Sequence, residues 1–351
     1  VLASMGKIPE AHRRFLPANN VCNAGVLFLL PSLIAQKLLK GTEVYHRLKQ
    51  GYYGLVSILL VLSFMYLSRI KTPEQLKNCK PGELGKILGL DRIPEVRCLR
   101  KKIQQIVSQN KAEEFNHAVS RSWLDEENGP LFFYIDGHVR VYHGKKATLP
   151  KRFVSREKLC LAGTTDYWIN NEIGLPYLLI IGELNEKLQT VILSEIIPAL
   201  LKDTSSIISE EELQYDNTRA RFALVFDREA YDVPFFKKLW KEYRIAVITY
   251  KKNVKDSWDV SGFEKYETDV IGKKVIMSLQ EKAISLDGFS MREIRKLSES
   301  GHQTSIVTSL EQGSTEFIAG KMFSRWSQEN FFQYMMQNYG YDKLVEYGIE
   351  E

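Results

Sequence analysis

Three carboxylates, Asp136, Asp227 and Glu329, stand out by their surroundings in this 351-residue chain. Asp136 closes the apolar run Leu131-Phe132-Phe133-Tyr134-Ile135, and Asp227 closes Phe222-Ala223-Leu224-Val225-Phe226. Glu329 lies within 321–338, a stretch without Gly or Pro whose apolar residues recur every three or four positions. That spacing predicts an amphipathic helix with Met322, Arg325, Glu329, Phe332 and Met336 on one face. Arg325 and Glu329 stand four apart and can touch. A charge on a buried face is expensive unless it is paired or bound to a metal. Three carboxylates brought together repel one another unless cations neutralise them. An all-oxygen anionic set suits Mg²⁺ or Mn²⁺. Two such ions about 3.5–4 Å apart can activate an attacking oxygen and stabilise the leaving one in phosphodiester chemistry. Taken singly, each acid reads as readily as a turn or cap residue. Their order along the chain is what marks them as a set.

The elements that must position them follow an α/β pattern from about residue 128. Residues 131–137 read as a buried strand ending in Asp-Gly, with Val139 to Tyr142 returning as its hairpin partner. Residues 176–184 read as a strand, 188–201 as an apolar helix, 221–229 as a second carboxylate-ended strand, 233–243 as a helix and 245–250 as a strand. Residues 253–310 read as short alternating strands, a β-rich insertion before the Glu329 helix. Strand ends in such sheets are where ligand-binding side chains gather.

The front of the chain is different. Lys and Arg exceed Asp and Glu by eleven over residues 1–121, and the remainder is net acidic by six, for a total of +5. A basic front and an acidic back fit a polyanion-binding module joined to a carboxylate site. Residues 1–20 read as a poorly ordered arm. The apolar stretches 21–39 and 52–68 are interrupted or fall short of the roughly 20 residues a membrane span needs, and they read as core helices. Thr72-Pro73-Glu74 is a helix start. Short helices at 80–90 and 94–107 then give a helix-turn-helix pattern within 72–107. It would present Arg97, Arg100, Lys101 and Lys102 to DNA, or form a connector with a solvated basic face. Cys22, Cys79, Cys98 and Cys160 lack metal-ligand spacing and read as reduced, buried thiols of a cytosolic protein.

Four phrases then carry a resemblance. They are Tyr-Ile-Asp-Gly-His-Val-Arg-Val-Tyr-His-Gly at 134–144, Leu-Ala-Gly-Thr-Thr-Asp-Tyr-Trp at 161–168, Val-Phe-Asp-Arg-Glu-Ala-Tyr at 225–231 and Arg-Trp-Ser-Gln-Glu-Asn-Phe-Phe at 325–332. Over roughly 130–348 the chain resembles DDE-type insertion-sequence transposases with an RNase H-like catalytic domain. The resemblance implies an RNase H-like mixed sheet flanked by helices over 128–351, preceded by an all-α basic region over 1–127. It implies that Asp136, Asp227 and Glu329 bind two Mg²⁺ or Mn²⁺ ions, and that Arg325 contacts DNA as in the branch with the Tyr-x2-Arg-x3-Glu-x6-Lys signature. Met322 and Met336 stand where that branch has Tyr and Lys, so those two contacts would come from elsewhere. Asp166 either joins the site or fixes a turn. The implied partners are DNA, at element ends and target, and further copies of the chain on paired ends, without a membrane. The implied location is the cytoplasm, at the nucleoid. A nuclease on the same fold, or a DNA-binding protein derived from an inactive transposase, would share these features.

Overall fold

The computed structural model describes residues 1–46, 48–49, 51–124, 131–145, 147–154, 157–204, 209–342 and 344. The chain divides into two compact units, Val1–Asp125 with Gln337–Gly340, and Glu126–Met336 with Tyr341–Glu351.

The first unit is helical: α1 (Leu30–Ala35), α2 (Leu55–Leu67), α3 (Pro81–Ile87), α4 (Val96–Val107) and α5 (Ala112–Ser120), linked by short 3₁₀ turns. Its core gathers Ile58, Val61, Phe64 and Met65 of α2 with Leu76, Leu84, Ile87 and Leu99. Among the described residues no helix is long and apolar enough to cross a membrane. Thr72 and Gln75 form a capping box at the 3₁₀ turn Pro73–Asn78, satisfying otherwise orphaned N–H groups. Gly85 lets α3 pack against the chain after it, because a Cβ there would meet Arg92 backbone atoms at 2.5 Å. The arm before residue 20 has neither helix nor strand. It is tied down all the same, since Ala11 N donates to Tyr52 O at 3.0 Å and Arg14 N to Gly89 O at 2.7 Å.

The second unit is built on one ten-stranded mixed sheet. Its strands are β1 (Leu131–Tyr142), β2 (Lys151–Val154), β3 (Leu159–Asn170), β4 (Pro176–Glu183), β5 (Phe222–Phe226), β6 (Ile245–Tyr250), β7 (Glu264–Val270), β8 (Lys273–Leu286), β9 (Phe289–Leu297) and β10 (Gln303–Thr308). The order is β2-β3-β1-β5-β6-β10-β9-β8-β7, with β4 also paired to β3. Among the described residues only β1-β5 and β5-β6 are parallel. These are the strands covered by helices, and β5 is buried at every residue, as parallel strands flanked on both faces must be. The helices are α6 (Leu188–Val191), continued through a π turn into α7 (Ile197–Thr204), then α8 (Glu210–Tyr215), α9 (Val233–Tyr243), α10 (Thr315–Ser324) and α11 (Trp326–Tyr339).

Side-chain alternation assigns the two faces of this centre. Phe132, Tyr134, Ala223, Val225, Ala246 and Ile248 form a core with Ile318, Ala319, Met322 and Phe323 of α10. On the opposite face Phe133 packs on Phe222 and Tyr177, and Phe226 on Phe235 and Phe236 of α9.

Three expectations are corrected. Val139 to Tyr142 do not return as a hairpin: β1 runs on through Gly137 and keeps pairing with β3 as far as Tyr142↔Ala162. An Asp-Gly turn needs a left-handed backbone, and Gly137 has none. Its missing Cβ instead makes room for the Tyr167 ring, which a Cβ would meet at 3.2 Å. The helix expected over 321–338 breaks at Arg325, where Arg325 N donates to Met322 O and Gln328 N to Arg325 O. These three-residue spacings tighten the turn between α10 and α11. Finally, the four cysteines are unbridged but not buried: Cys22 and Cys160 are exposed, Cys79 and Cys98 half-buried.

Candidate functional site

The register of the parallel pair β1-β5 aligns Ile135 with Phe226. One step further along, Asp136 and Asp227 leave neighbouring strands side by side on the face that carries α10. The apolar face therefore turns acidic at the carboxyl ends of the strands. The α10–α11 junction lies over that edge and brings in Arg325 and Glu329. Arg325 is 6% exposed in its side chain and reaches all three carboxylates: Glu329 Oε1 at 2.5 Å, Asp136 Oδ2 at 3.6 Å and Asp227 Oδ2 at 4.0 Å. The structure thus brings together all three acids and Arg325. Asp227 and Glu329 remain half-exposed while Asp136 is three-quarters covered.

Backbone groups hold two of the acids in place. Gly137 N donates to Asp136 Oδ1 at 3.0 Å, and Arg228 N to Asp227 Oδ1 at 2.7 Å at the start of a 3₁₀ turn. Burial pushes the Asp136 carboxyl up to about 6; Arg325 and the Gly137 N–H oppose that rise, and the charges of Glu329 and Asp227 add to it. The buried Arg325 Nε–H makes no hydrogen bond. The carboxylates are gathered around a guanidinium and not around a common point of their own. Among the described residues no group of three or more His, Cys, Asp or Glu side chains is close enough to hold an ion as it stands.

Gln328, absent from the sequence expectations, seats the helix that carries Glu329. It is fully buried, and its Nε2 donates to Trp168 O at 2.9 Å, with Tyr134 O and Asn170 Oδ1 each at 3.3 Å. One amide thus ties α11 to β1 and β3. Aromatic contacts support it: Phe332 stacks on His138 at 5.1 Å, and Phe331 meets Trp168 edge-on at 5.3 Å. The available signal was spacing, since Gln328 and Phe332 stand four apart and share a helix face. Gln328→Leu is expected to destabilise the protein by about 1–3 kcal/mol, the cost of orphaning buried acceptors. Activity at the Glu329 site should fall roughly 10–100-fold, the scale of losing a residue that orients a ligand. Paired melting curves and cleavage assays check both.

Asp166 lies in neither a turn nor the Arg325 cluster. It is fully buried in β3 opposite His138, with Arg140 Nη1 at 3.2 Å and the Tyr341 hydroxyl donating at 2.6 Å. Trp168 Nε1 donates to that same hydroxyl. This network fastens the chain just past α11 to β3. Asp342 and Leu344 then bond to Val141, in the part of β1 that extends beyond β5.

In the first unit, Arg97 and Lys101 are exposed on α4, and Arg100 pairs with Glu74 at 2.5 Å. With Lys77 they rim an apolar cavity of about 620 Å³. Lys102 departs from the expected DNA-facing set. It stands three residues from fully buried Leu99, is itself buried, and donates to Lys49 O at 2.6 Å. Trp326 is exposed beside Arg325.

Over residues 1–351 the chain matches the model of a family described as "Transposase protein". No curated protein matches it by sequence. Among solved structures it is similar to a piggyBac transposase synaptic complex with hairpin DNA, at 9% identity over 89% of this chain and 67% of that one, TM-score 0.44. It is also similar to the NurA nuclease of Sulfolobus solfataricus, at 10% identity over 65% and 83%, TM-score 0.25. A third likeness is to the Marinitoga piezophila Argonaute with a guide RNA, at 8% identity over 70% and 34%, TM-score 0.22.

Proposed function

The chain belongs to the transposase-protein family, and we propose that it is a DDE-type DNA transposase whose chemistry is carried by Asp136, Asp227 and Glu329. The observation that carries this reading is the convergence of those three carboxylates on Arg325 at the carboxyl ends of adjacent parallel strands. An RNase H-like core is supported by the parallel β1-β5-β6 centre with antiparallel β3 beyond β1.

The donor set fits Mg²⁺ or Mn²⁺: it is all carboxylate oxygen, and its three carboxylates share one guanidinium. Asp136, Asp227 and Glu329 would hold the ions, which supply an activated oxygen nucleophile and charge neutralisation at the leaving oxygen. Arg325 must turn aside to admit them. Its Nε–H, buried and without a partner, is suited to a phosphate oxygen of the DNA, where a charge-assisted bond is strong. Gln328 and the Gly137 and Arg228 N–H groups keep the carboxylates oriented. Arg97 and Lys101 would hold the DNA backbone, a contact that weakens as salt rises. The reaction is attack by water to free a 3′-OH at the element end, then attack of that 3′-OH on target DNA. Copies of the chain would act together on paired ends, at the nucleoid.

Arg325 at the centre of the carboxylates favours a second reading, in which the guanidinium stays and the protein binds DNA without cutting it. Strand cleavage and joining on duplexes carrying the element's own ends, with Mg²⁺ or Mn²⁺, separate the two. Metal-dependent joining that Glu329→Gln removes is the expected result. Cleavage without joining would make the protein a nuclease, and binding with neither would favour the second reading.

A further inference from the structure

The register that sets Asp136 beside Asp227 runs on by one more strand. In the parallel pair β5-β6, Phe226 aligns with Thr249, so one step further Asp227 and Tyr250 leave their strands side by side. Alternation along β6 puts Tyr250 on the same face as Ala246 and Ile248, the face that carries α10, and its ring packs against that core. Three adjacent strands thus end at one level with Asp136, Asp227 and Tyr250. Beyond Tyr250 the antiparallel neighbour is Ile306 of β10, so the polar edge stops there. The charges of Arg325, Asp227, Glu329 and Arg228 all act on the phenol.

Packing accounts for the ring of Tyr250 and not for its hydroxyl. The residue is half-buried, and its O–H bonds to none of the described residues, whereas a Phe would fill the same space. Arg228, exposed on the 3₁₀ turn after β5, lays its guanidinium 5.7 Å from the centre of the Tyr250 ring. Two residues past Tyr250, the Lys252 ammonium lies 5.9 Å from the centre of the Tyr231 ring. Among the described residues neither cation has a carboxylate partner, while Lys251 between them in sequence is neutralised by Glu293. The rim therefore changes from acidic over β1 and β5 to cationic at the end of β6. An O–H donor beside an unpaired guanidinium suits a phosphate oxygen.

We propose that Tyr250 and Arg228 hold the DNA phosphate next to the one over the carboxylates, the phenol O–H and the guanidinium each donating to its oxygens. Tyr250 stands one strand beyond Asp227, about 4.8 Å across the sheet, so it lies beside the carboxylate set and not within it. The bound strand would then leave the carboxylates across the end of β6. The inference rests on reading the Arg325 cluster as a DNA site, and it holds whether or not that site cuts.

The test is equilibrium binding of the full chain to duplexes carrying the element's own ends, followed by fluorescence anisotropy with Ca²⁺, alongside cleavage with Mg²⁺. Tyr250→Phe should weaken binding about 10-fold, the scale of one hydrogen bond to a charged group, with the melting temperature unchanged because the ring and its packing stay. Arg228→Gln should weaken it by a similar factor and lower the slope of log affinity against log salt by about one. Cleavage at saturating protein should stay within about twofold of wild type in both, since a contact to a flanking phosphate is the same before and during the reaction. In a set of duplexes each bearing one uncharged methylphosphonate near the cut, one position should weaken the wild type and erase its advantage over both variants. Variants that bind as wild type does would overturn the proposal. So would a weakening that persists at every methylphosphonate position, which would show that the two side chains act through the fold. Wild-type binding that responds to both substitutions without any cleavage would support the phosphate contact and sink the transposase reading alone. Cleavage and binding indifferent to both substitutions would do the reverse.

Discussion

Replacing Asp136 with Asn is expected to make the metal-free protein more stable at neutral pH while removing its activity. The two effects have one cause. The carboxyl titrates near 3.8 when unfolded and at about 6 when folded, so between those values the folded chain holds the extra proton. Stability from this group therefore falls as pH rises through that window. The full cost of the buried charge is present above about 6 and absent below 3.8. Asn keeps the shape and carries no charge to desolvate. With a quarter of the Asp136 side chain exposed, the gain at pH 7.5 should be about 1–3 kcal/mol. Denaturant unfolding in the presence of a chelator should show this gap at pH 7.5 and its disappearance by pH 4. Added Mg²⁺ should stabilise wild type alone and narrow the gap, as ligands that bind only the folded state do. Cleavage of DNA ends should fall on the order of 10³-fold, the scale of removing one preorganised electrostatic contact to a transition state. A variant less stable than wild type at both pH values would mean that Asp136 is a structural partner of Arg325 and nothing more.

Arg295→Met should produce the largest loss of stability in the second unit, about 3–5 kcal/mol, the usual cost of breaking a buried ion pair from one side. Arg295 is completely buried in β9. Its Nη2 forks onto both oxygens of Asp256 at 3.0 and 2.9 Å, Nη1 reaches Asp256 O at 2.8 Å, and Nε donates to Glu293 Oε1 at 2.7 Å. The guanidinium also lies 4.3 Å from the centre of the Trp258 ring. Methionine fills much of the volume and makes none of the hydrogen bonds. Glu293 would keep Lys251 at 2.5 Å and Ser305 at 2.8 Å, so the double variant with Glu293→Gln should recover only part of the loss. The denaturation midpoint is the readout, with the slope unchanged. A shift below about 1 kcal/mol would show that the network is surface-like in strength.

Much of the candidate site's geometry was legible because two apolar runs each end in Asp, and a run that ends in a carboxylate marks the end of a buried strand. Their side-by-side register was not legible, since nothing in either run encodes which strand lies next to it. Local signals misled where tertiary contacts overrode them. Asp136-Gly137 has the composition of a turn, yet β3 supplies partners on the far side and the strand continues. β3 itself escaped notice because 159–170 mixes Gly163, Thr164, Thr165 and Asp166 into a buried element. Its polarity is accommodated by Arg140 and Tyr341, which come from distant parts of the chain. Lys102 was misjudged by composition alone, although its three-residue spacing from Leu99 places it inward. The break at Arg325 left no mark in the sequence, which has neither Gly nor Pro there.

The amide of Gln328 reaches a carbonyl 194 positions earlier in the chain, on β1. Contacts that span such a separation form late, after the loop between them has been closed at an entropic cost. During synthesis β1, β5 and β6 can assemble as soon as residue 250 has emerged, and at that stage Asp136 and Asp227 already stand together without Glu329 or Arg325. The third acid and the neutralising guanidinium then arrive on the same short junction. A nascent or prematurely terminated chain therefore carries an incomplete set of carboxylates, and the three-acid arrangement is complete only when the last helix has docked.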